Sequence, residues 1–457
     1  MSRLRFTLPS PPAKTFTSHV ATRPVLLSLL GGALLTAAPL TQAVDFGPFS
    51  LTGFAKVESV VGNNHCEHCQ LHPNEDKQRV WADELVPGSR YETTINNVSL
   101  FQPWLGVKFD LGRGFKLSGL LSQRWRDGKE DIPGFLYEKN LALSHEDYGS
   151  LRFGDMTTRT WSMADHPYGT NFNVSDVWAS SGAGYGLLRN ALRYTAPPID
   201  VFNGDLVLEA TYSAGNTDFD IHEPRFWEFY AQYHRGDLVI DAMVQDSRNG
   251  NPQAWSHGPF WGPTYHEADD GEIGSSRQSI AMILARYQVN PEIEVSGGLR
   301  RNHWSGAYAV ITQSAVYDHL GQLVSPELWN SMFNVDWGGS LNGVANPGYS
   351  ATSYDAMLGI RYRHGPWTPS VGLVHLGTAS TDNPSERGQS NAATVLTAGL
   401  SYDFGNGFRC YGFGGTVHYK RLGLSPMSMP GNSAFTNVDS RVTRDGVWLG
   451  LGVEYVF

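Results

Sequence analysis

The sequence predicts an all-β protein, a transmembrane antiparallel β-barrel of about sixteen strands. Three observations carry this. From Ser50 onward, apolar and polar residues alternate with a period of two in segments of about ten residues. Short turns and long polar segments separate these runs by turns, as in barrels with one short-looped and one long-looped rim. After residue 40 no stretch offers the roughly 18 consecutive apolar residues of a transmembrane helix, so any membrane crossing must be made by strands.

The N-terminus indicates export. Arg3, Arg5, Lys14 and Arg23 precede an apolar run from Val25 to Ala38, and small and polar residues follow to Ala43. Residues 1–43 therefore read as a signal peptide cleaved after Ala43, leaving 44–457 as a single outer-membrane barrel domain; a buried hydrophobic helix is the alternative. Those 43 residues carry four basic and no acidic side chains, so the rest of the chain has a formal charge of −14 against −10 for the whole. Such an acidic chain makes nucleic acid an unfit partner. With 50 glycines and 12% aromatic residues, the composition suits strands, tight turns and interfacial girdles.

The strands follow in order. Leu51, Gly53, Ala55 and Val57 interleave with Thr52, Phe54, Lys56 and Glu58, so the first strand has one apolar face and one that only a wet interior would accept. A second pair runs from Val98 to Phe109, turns at Leu111–Gly114, and returns through Phe115 to Trp125. Six further tight turns fall at 146–149, 197–200, 234–237, 289–292, 364–366 and 404–407. Between the turns come eight long segments: 62–95, 127–134, 155–188, 214–224, 247–276, 304–351, 378–393 and 421–445. The last strand, Gly446 to Phe457, puts Val447, Leu449, Leu451, Val453, Tyr455 and Phe457 on one face. Trp104, Trp125, Tyr194, Tyr287, Tyr362 and Tyr455 are assigned to interfacial girdles.

Four segments resemble the general, non-specific porin family of Gram-negative bacteria: LTGFAKVESVVGNN at the first strand, YGSLRFGDM, RNALRYTAPPID, and the terminal GVEYVF. The resemblance extends over nearly the whole mature chain and implies a sixteen-stranded, usually trimeric barrel whose third extracellular loop folds inward to narrow the pore. By position that loop is Asp155 to Leu188. The chain departs from the best-known enterobacterial members in lacking Pro-Glu-Phe-Gly-Gly there, and its first and sixth loops are unusually long.

A pore needs a wall that replaces part of a solute's hydration and charges that bias entry. Arg124, Arg126, Arg152, Arg189 and Arg193 take the polar phase on the strands flanking the third loop, whereas Asp155, Asp165 and Asp176 belong to the loop itself. Arginines on the wall facing loop carboxylates would set a transverse field; the same groups could instead simply hold the loop in place. Cys66 and Cys69, two residues apart and flanked by His65, His68 and His72, allow a loop-stapling disulfide, metal capture or an incidental exposed loop. Cys410 stands by itself on a late strand. His266–Glu272 is an acidic run that could bridge divalent cations to lipopolysaccharide, or simply face water.

The reading that results is a water-filled outer-membrane channel for passive diffusion of small hydrophilic solutes and ions. It sits among outer-membrane lipid and lipopolysaccharide, and needs no cofactor. A substrate-selective channel of the same architecture is the first alternative, with a hydrolase and a plugged structural or adhesive barrel behind it. No spacing of Ser, His and acidic residues singles out a catalytic set.

Overall fold

The computed structural model describes residues 44–63, 77–79, 85–87, 94–126, 128–130, 136–163, 187–214, 225–248, 276–306, 350–378, 380–381, 388, 392–420 and 445–457. The segment assigned as a signal peptide lies outside them.

Sixteen strands among the described residues close into one antiparallel barrel. The first four are β1 (Phe49–Asn63), β2 (Thr94–Gly112), β3 (Phe115–Ser122) and β4 (Glu138–His145). Next come β5 (Gly149–Thr157), β6 (Leu187–Thr195), β7 (Gly204–Ser213) and β8 (Arg225–Arg235). The far side is β9 (Leu238–Arg248), β10 (Ser276–Gln288), β11 (Ile293–Gly306) and β12 (Ala351–Tyr362). β13 (Trp367–Leu376), β14 (Ala393–Gly405), β15 (Phe408–Tyr419) and β16 (Asp445–Val456) complete the wall. β16 pairs back onto β1 with Glu58 opposite Gly452, leaving no open edge to the sheet.

Six of the seven expected tight turns fall between strands as expected; at the third, expected at 197–200, Ile199–Val201 instead pairs with Gly204–Leu206 and the chain turns at Phe202–Asn203. The turn at Asn406-Gly407 shows why the sequence turns there. Both residues have positive φ, 53° and 80°, the type I′ pattern that matches the strand twist and favours Asn-Gly.

Residue phase sorts the wall as alternation requires. On β16, Val447, Leu449, Leu451, Val453 and Tyr455 are exposed outward, Leu451 by 67%, while Lys56 and Glu58 on β1 are buried inward. Of the aromatic residues assigned to girdles, Tyr194, Tyr287, Tyr362 and Tyr455 are exposed, and Trp125 stacks on outward Phe101. Trp104 does not belong with them: it shares the inward phase of Gln102, and its indole bonds to Glu138.

The inward face also holds apolar residues. Leu284, Met357, Val374 and Val395 stand in one cross-strand row through Gly298, all almost fully buried.

Candidate functional site

The third long connection is described only at its root, Thr158 to Met163, which includes the one-turn helix α1 (Arg159–Ser162). Thr158, Arg159, Thr160 and Met163 are buried against inward-phase side chains of β7, β8 and β9. Those strands place acceptors there because Glu209 alternates with outward Leu208, and Glu228 with outward Trp227 and Phe229.

Arg159 is the centre of the arrangement. Its Nε donates to Glu209 Oε1 at 2.5 Å and its Nη2 to Glu209 Oε2 at 2.7 Å, a bidentate pair. Its guanidinium lies 5.3 Å from the Tyr230 ring centroid. Burial alone would lower the Arg159 pKa, but the charge and hydrogen bonds of Glu209 outweigh it and hold the pKa above its ordinary value.

Glu228 accepts the backbone N–H of Arg159 at 2.8 Å and that of Thr160 at 3.2 Å, so a wall carboxylate satisfies the first amides of the helix. Thr160 Oγ1 donates to Gln245 Oε1 on β9 at 2.5 Å. Met163 Sδ lies 3.9 Å from the Tyr230 hydroxyl, which itself donates to Asp241 at 2.6 Å. Below the root, Met156, Leu188, Ala191 and Phe226 form a small apolar cluster.

The nominated arginines take several places. Arg193 is buried inward: its Nε donates to Thr211 Oγ1 at 2.9 Å, its Nη2 donates to the Thr157 carbonyl at 2.8 Å, and Glu228 is 3.6 Å away. Arg152 points inward and donates to Asn140 Oδ1. Arg124 is buried beside the Tyr137 ring, 6.0 Å from its centroid. Arg126 lies on a short strand opposite Leu100, its side chain outside the described residues.

One assignment changes. Register sets Met156 opposite Leu188 and Gly154 opposite Ala191, with a bulge between; Asn190 in that bulge has φ of 50°. Arg189 lies in the bulged stretch, its side chain outside the described residues. Asp155 is a residue of β5, not of the loop. It takes the outward phase opposite Lys139, 3.4 Å away, and its carboxylate accepts the Asn190 N–H of the bulge at 3.1 Å. Asp165, Asp176, Cys66 and Cys69 lie outside the described residues.

The described residues add ion pairs that the sequence reading did not name. Here the loop root supplies the cation and the wall supplies the carboxylates. Sequence reasoning missed Arg159, Glu138, Glu209 and Glu228. The signal that could have found them was strand phase, which sets Glu209 opposite Tyr230 and Thr211 opposite Glu228.

The Gram-negative porin family model matches residues 87–422. No curated protein matches the sequence. Among solved structures, the anion-selective porin from Comamonas acidovorans is similar at a TM-score of 0.52 and 11% identity, covering 90% of this chain and 99% of that one. Salmonella typhi OmpF in complex with Daunomycin is similar at 0.53 and 12%, covering 91% and 100%. The trimer form of OmpT, an outer membrane protein of Vibrio cholerae, is similar at 0.51 and 11%, covering 90% and 99%. At such identities these likenesses speak for the fold, and the closed sixteen-stranded wall agrees with them. Taken with the family match over most of its length, they identify the chain as a member of the Gram-negative porin family, a channel-forming β-barrel of the bacterial outer membrane.

Proposed function

We propose that this barrel conducts small hydrophilic solutes and ions by passive diffusion, without catalysis, through a lumen narrowed by the third loop. The observation that carries the reading is the loop root held inside the wall by Arg159, Glu209 and Glu228. A chain segment anchored there narrows the passage from within, and the inward phase of the wall is polar, with Gln102, Asn140 and Thr211 among its side chains.

The purified, refolded protein in a planar bilayer is expected to give single-channel steps proportional to salt concentration. No current would sink the reading. One observation favours a substrate-selective variant: the apolar row Leu284–Met357–Val374–Val395 is unusual for an interior that meets only water. Saturable block by one solute would decide for it.

The assembly we propose is a homotrimer, joined along β3–β6. These strands are eight or nine residues long, whereas β8–β12 have eleven to fourteen. Tilted at about 45°, nine residues stand only about 21 Å tall, short of the roughly 25 Å apolar band of an outer-membrane barrel. Their outer face combines exposed Leu141 and Phe153, each 58% exposed, with the Lys139–Asp155 pair. Strands this short with an apolar outer face suit a neighbouring subunit better than lipid. Phe153→Arg is expected to convert trimers to monomers in detergent, read by light scattering; a trimer of unchanged mass would place the interface elsewhere.

A further inference from the structure

On β8–β11 the lipid-facing phase is apolar through its middle, at Phe229, Val244, Ile283 and Leu299, but at the rim of the long connections it carries a row of arginines. Arg225, the first residue of β8, stands opposite Arg248, the last of β9, and Arg248 stands opposite Arg277 on β10. All three are exposed and share the phase of outward Trp227. Side chains on opposed positions have their β-carbons about 4.5–5.5 Å apart, and like charges so placed repel.

The row sits at a defined depth. One step down the same face, Trp227 lies opposite Asp246, and its ring centroid is 4.3 Å from that of Tyr212. Aromatic residues of this kind mark the boundary between hydrocarbon and headgroups. Two residues further along a strand add about 7 Å, so the arginines reach the headgroup layer. They do so on the side of the long connections, which is the outer leaflet. The proposed subunit contact uses β3–β6 and leaves this face turned to lipid.

Asp246 is the one acid on the outward phase of β8–β11 among the described residues, and Arg277 holds it through Nε and Nη2, each at 2.5 Å. A guanidinium has five N–H donors, so this bond does not exhaust it. His303 on β11 belongs to the Asp246 row, with its Nδ1 2.9 Å from Thr352 Oγ1, and the charges of Arg301, Arg277 and Asp246 all act on its ring. Exposed Arg301, one row lower, thus belongs to the same cluster.

We infer that this patch binds the phosphates of a glycolipid headgroup of the outer leaflet, lipopolysaccharide, across the row Arg225–Arg248–Arg277, with Arg301 contributing from below. An anion laid across the row replaces mutual repulsion by attraction, and guanidinium meets phosphate with paired N–H donors. The contact is direct and needs no bridging divalent cation. It rests on the placement of the barrel in the outer membrane and not on whether the channel conducts.

The test titrates refolded protein in detergent with purified lipopolysaccharide in the presence of EDTA, read by the shift of the folded band on semi-native gels. The parent is expected to bind the intact lipid and to bind its dephosphorylated form at least roughly tenfold more weakly. Arg248→Gln with Arg301→Gln should weaken binding of the intact lipid roughly tenfold or more. Arg235→Gln, exposed at the opposite rim of β8, should bind as the parent does. Because Arg248 has an arginine on each side, Arg248→Gln should melt no lower than the parent without lipopolysaccharide and below the parent with it. Equal affinity for the dephosphorylated form, or unchanged affinity in the double variant, overturns the inference. So does an equal loss in Arg235→Gln, which would mark a general attraction of charge, or a lower melting temperature of Arg248→Gln without the lipid.

Discussion

Replacing Arg159 by alanine is expected to leave a folded barrel whose single-channel conductance is larger and noisier than that of the parent. The substitution deletes the bidentate pair to Glu209, and it leaves that carboxylate buried with Thr195 Oγ1, at 2.6 Å, as a remaining hydrogen-bond donor. Breaking a buried pair by removing one partner typically costs about 3–5 kcal/mol, because the surviving charge is stranded. Of the other ties of the root, the two backbone amides held by Glu228 survive the substitution, at about 1.5–3 kcal/mol each, and the Thr160–Gln245 bond is worth on the order of 1 kcal/mol. The stranded Glu209 favours loosening of the root that admits water to its carboxylate, against the amide bonds that Glu228 still makes. The sixteen-stranded ladder does not pass through Arg159, so the barrel itself should survive. Glu209→Gln, which keeps an acceptor for the guanidinium, should open the channel less. A second comparison separates anchoring from general destabilisation: Arg159→Met with Glu209→Leu removes both charges and is expected to restore much of the parent's quiet conductance. Unchanged conductance and noise in Arg159→Ala would mean that the loop is held elsewhere.

The wall was legible in the sequence because a two-sided environment writes itself into a period of two. Val447 to Tyr455 could be placed on the outer face, and Lys56 with Glu58 on the inner one, by counting alone. The errors arose where a local event breaks that count or where residue type was allowed to override it. The bulge at Asn190 breaks the count on β6, and its trace in the sequence is faint: a glycine at 154 and an asparagine able to take positive φ. Trp104 was read by type as a girdle residue, although its phase is that of Gln102. Residues 280–285 are apolar on both phases, so the run hides that Leu284 faces inward over Gly298. The anchor of the third loop was missed for a deeper reason. Glu209 and Glu228 lie 50 and 69 residues from Arg159, and alternation names a face without naming the partner that will meet it.

Gly53→Val is expected to prevent the barrel from closing, so that the refolded protein lacks the heat-modifiable band of a closed barrel on semi-native gels. β1 is gripped at this point from both sides. The Gly53 N–H donates to the Phe457 carbonyl at 2.8 Å, and the Phe457 N–H returns to the Gly53 carbonyl at 2.9 Å. A β-carbon on Gly53 would lie 2.6 Å from Phe457 Cζ, 2.7 Å from the Gln102 carbonyl oxygen and 2.9 Å from Pro103 Cα. The phenyl ring could swing away; the backbone of β2 could not, because it is tied to β1 along its length. Overpacking in a site that can adjust costs about 1–3 kcal/mol, and a clash with ladder backbone exceeds that. The penalty also falls where it is least tolerable, since separating first and last strands exposes two unpaired edges to lipid. Tyr411→Phe gives the matching contrast on the inner face of the same seam. There the Tyr411 ring lies across Gly452 and its hydroxyl reaches Glu58 on β1. Losing that hydroxyl removes one buried bond to a carboxylate, about 1–3 kcal/mol, and should lower the melting temperature without opening the barrel. A Gly53→Val protein that closes with the parent's thermal stability would show that the contact at the C-terminal phenylalanine is dispensable for closure.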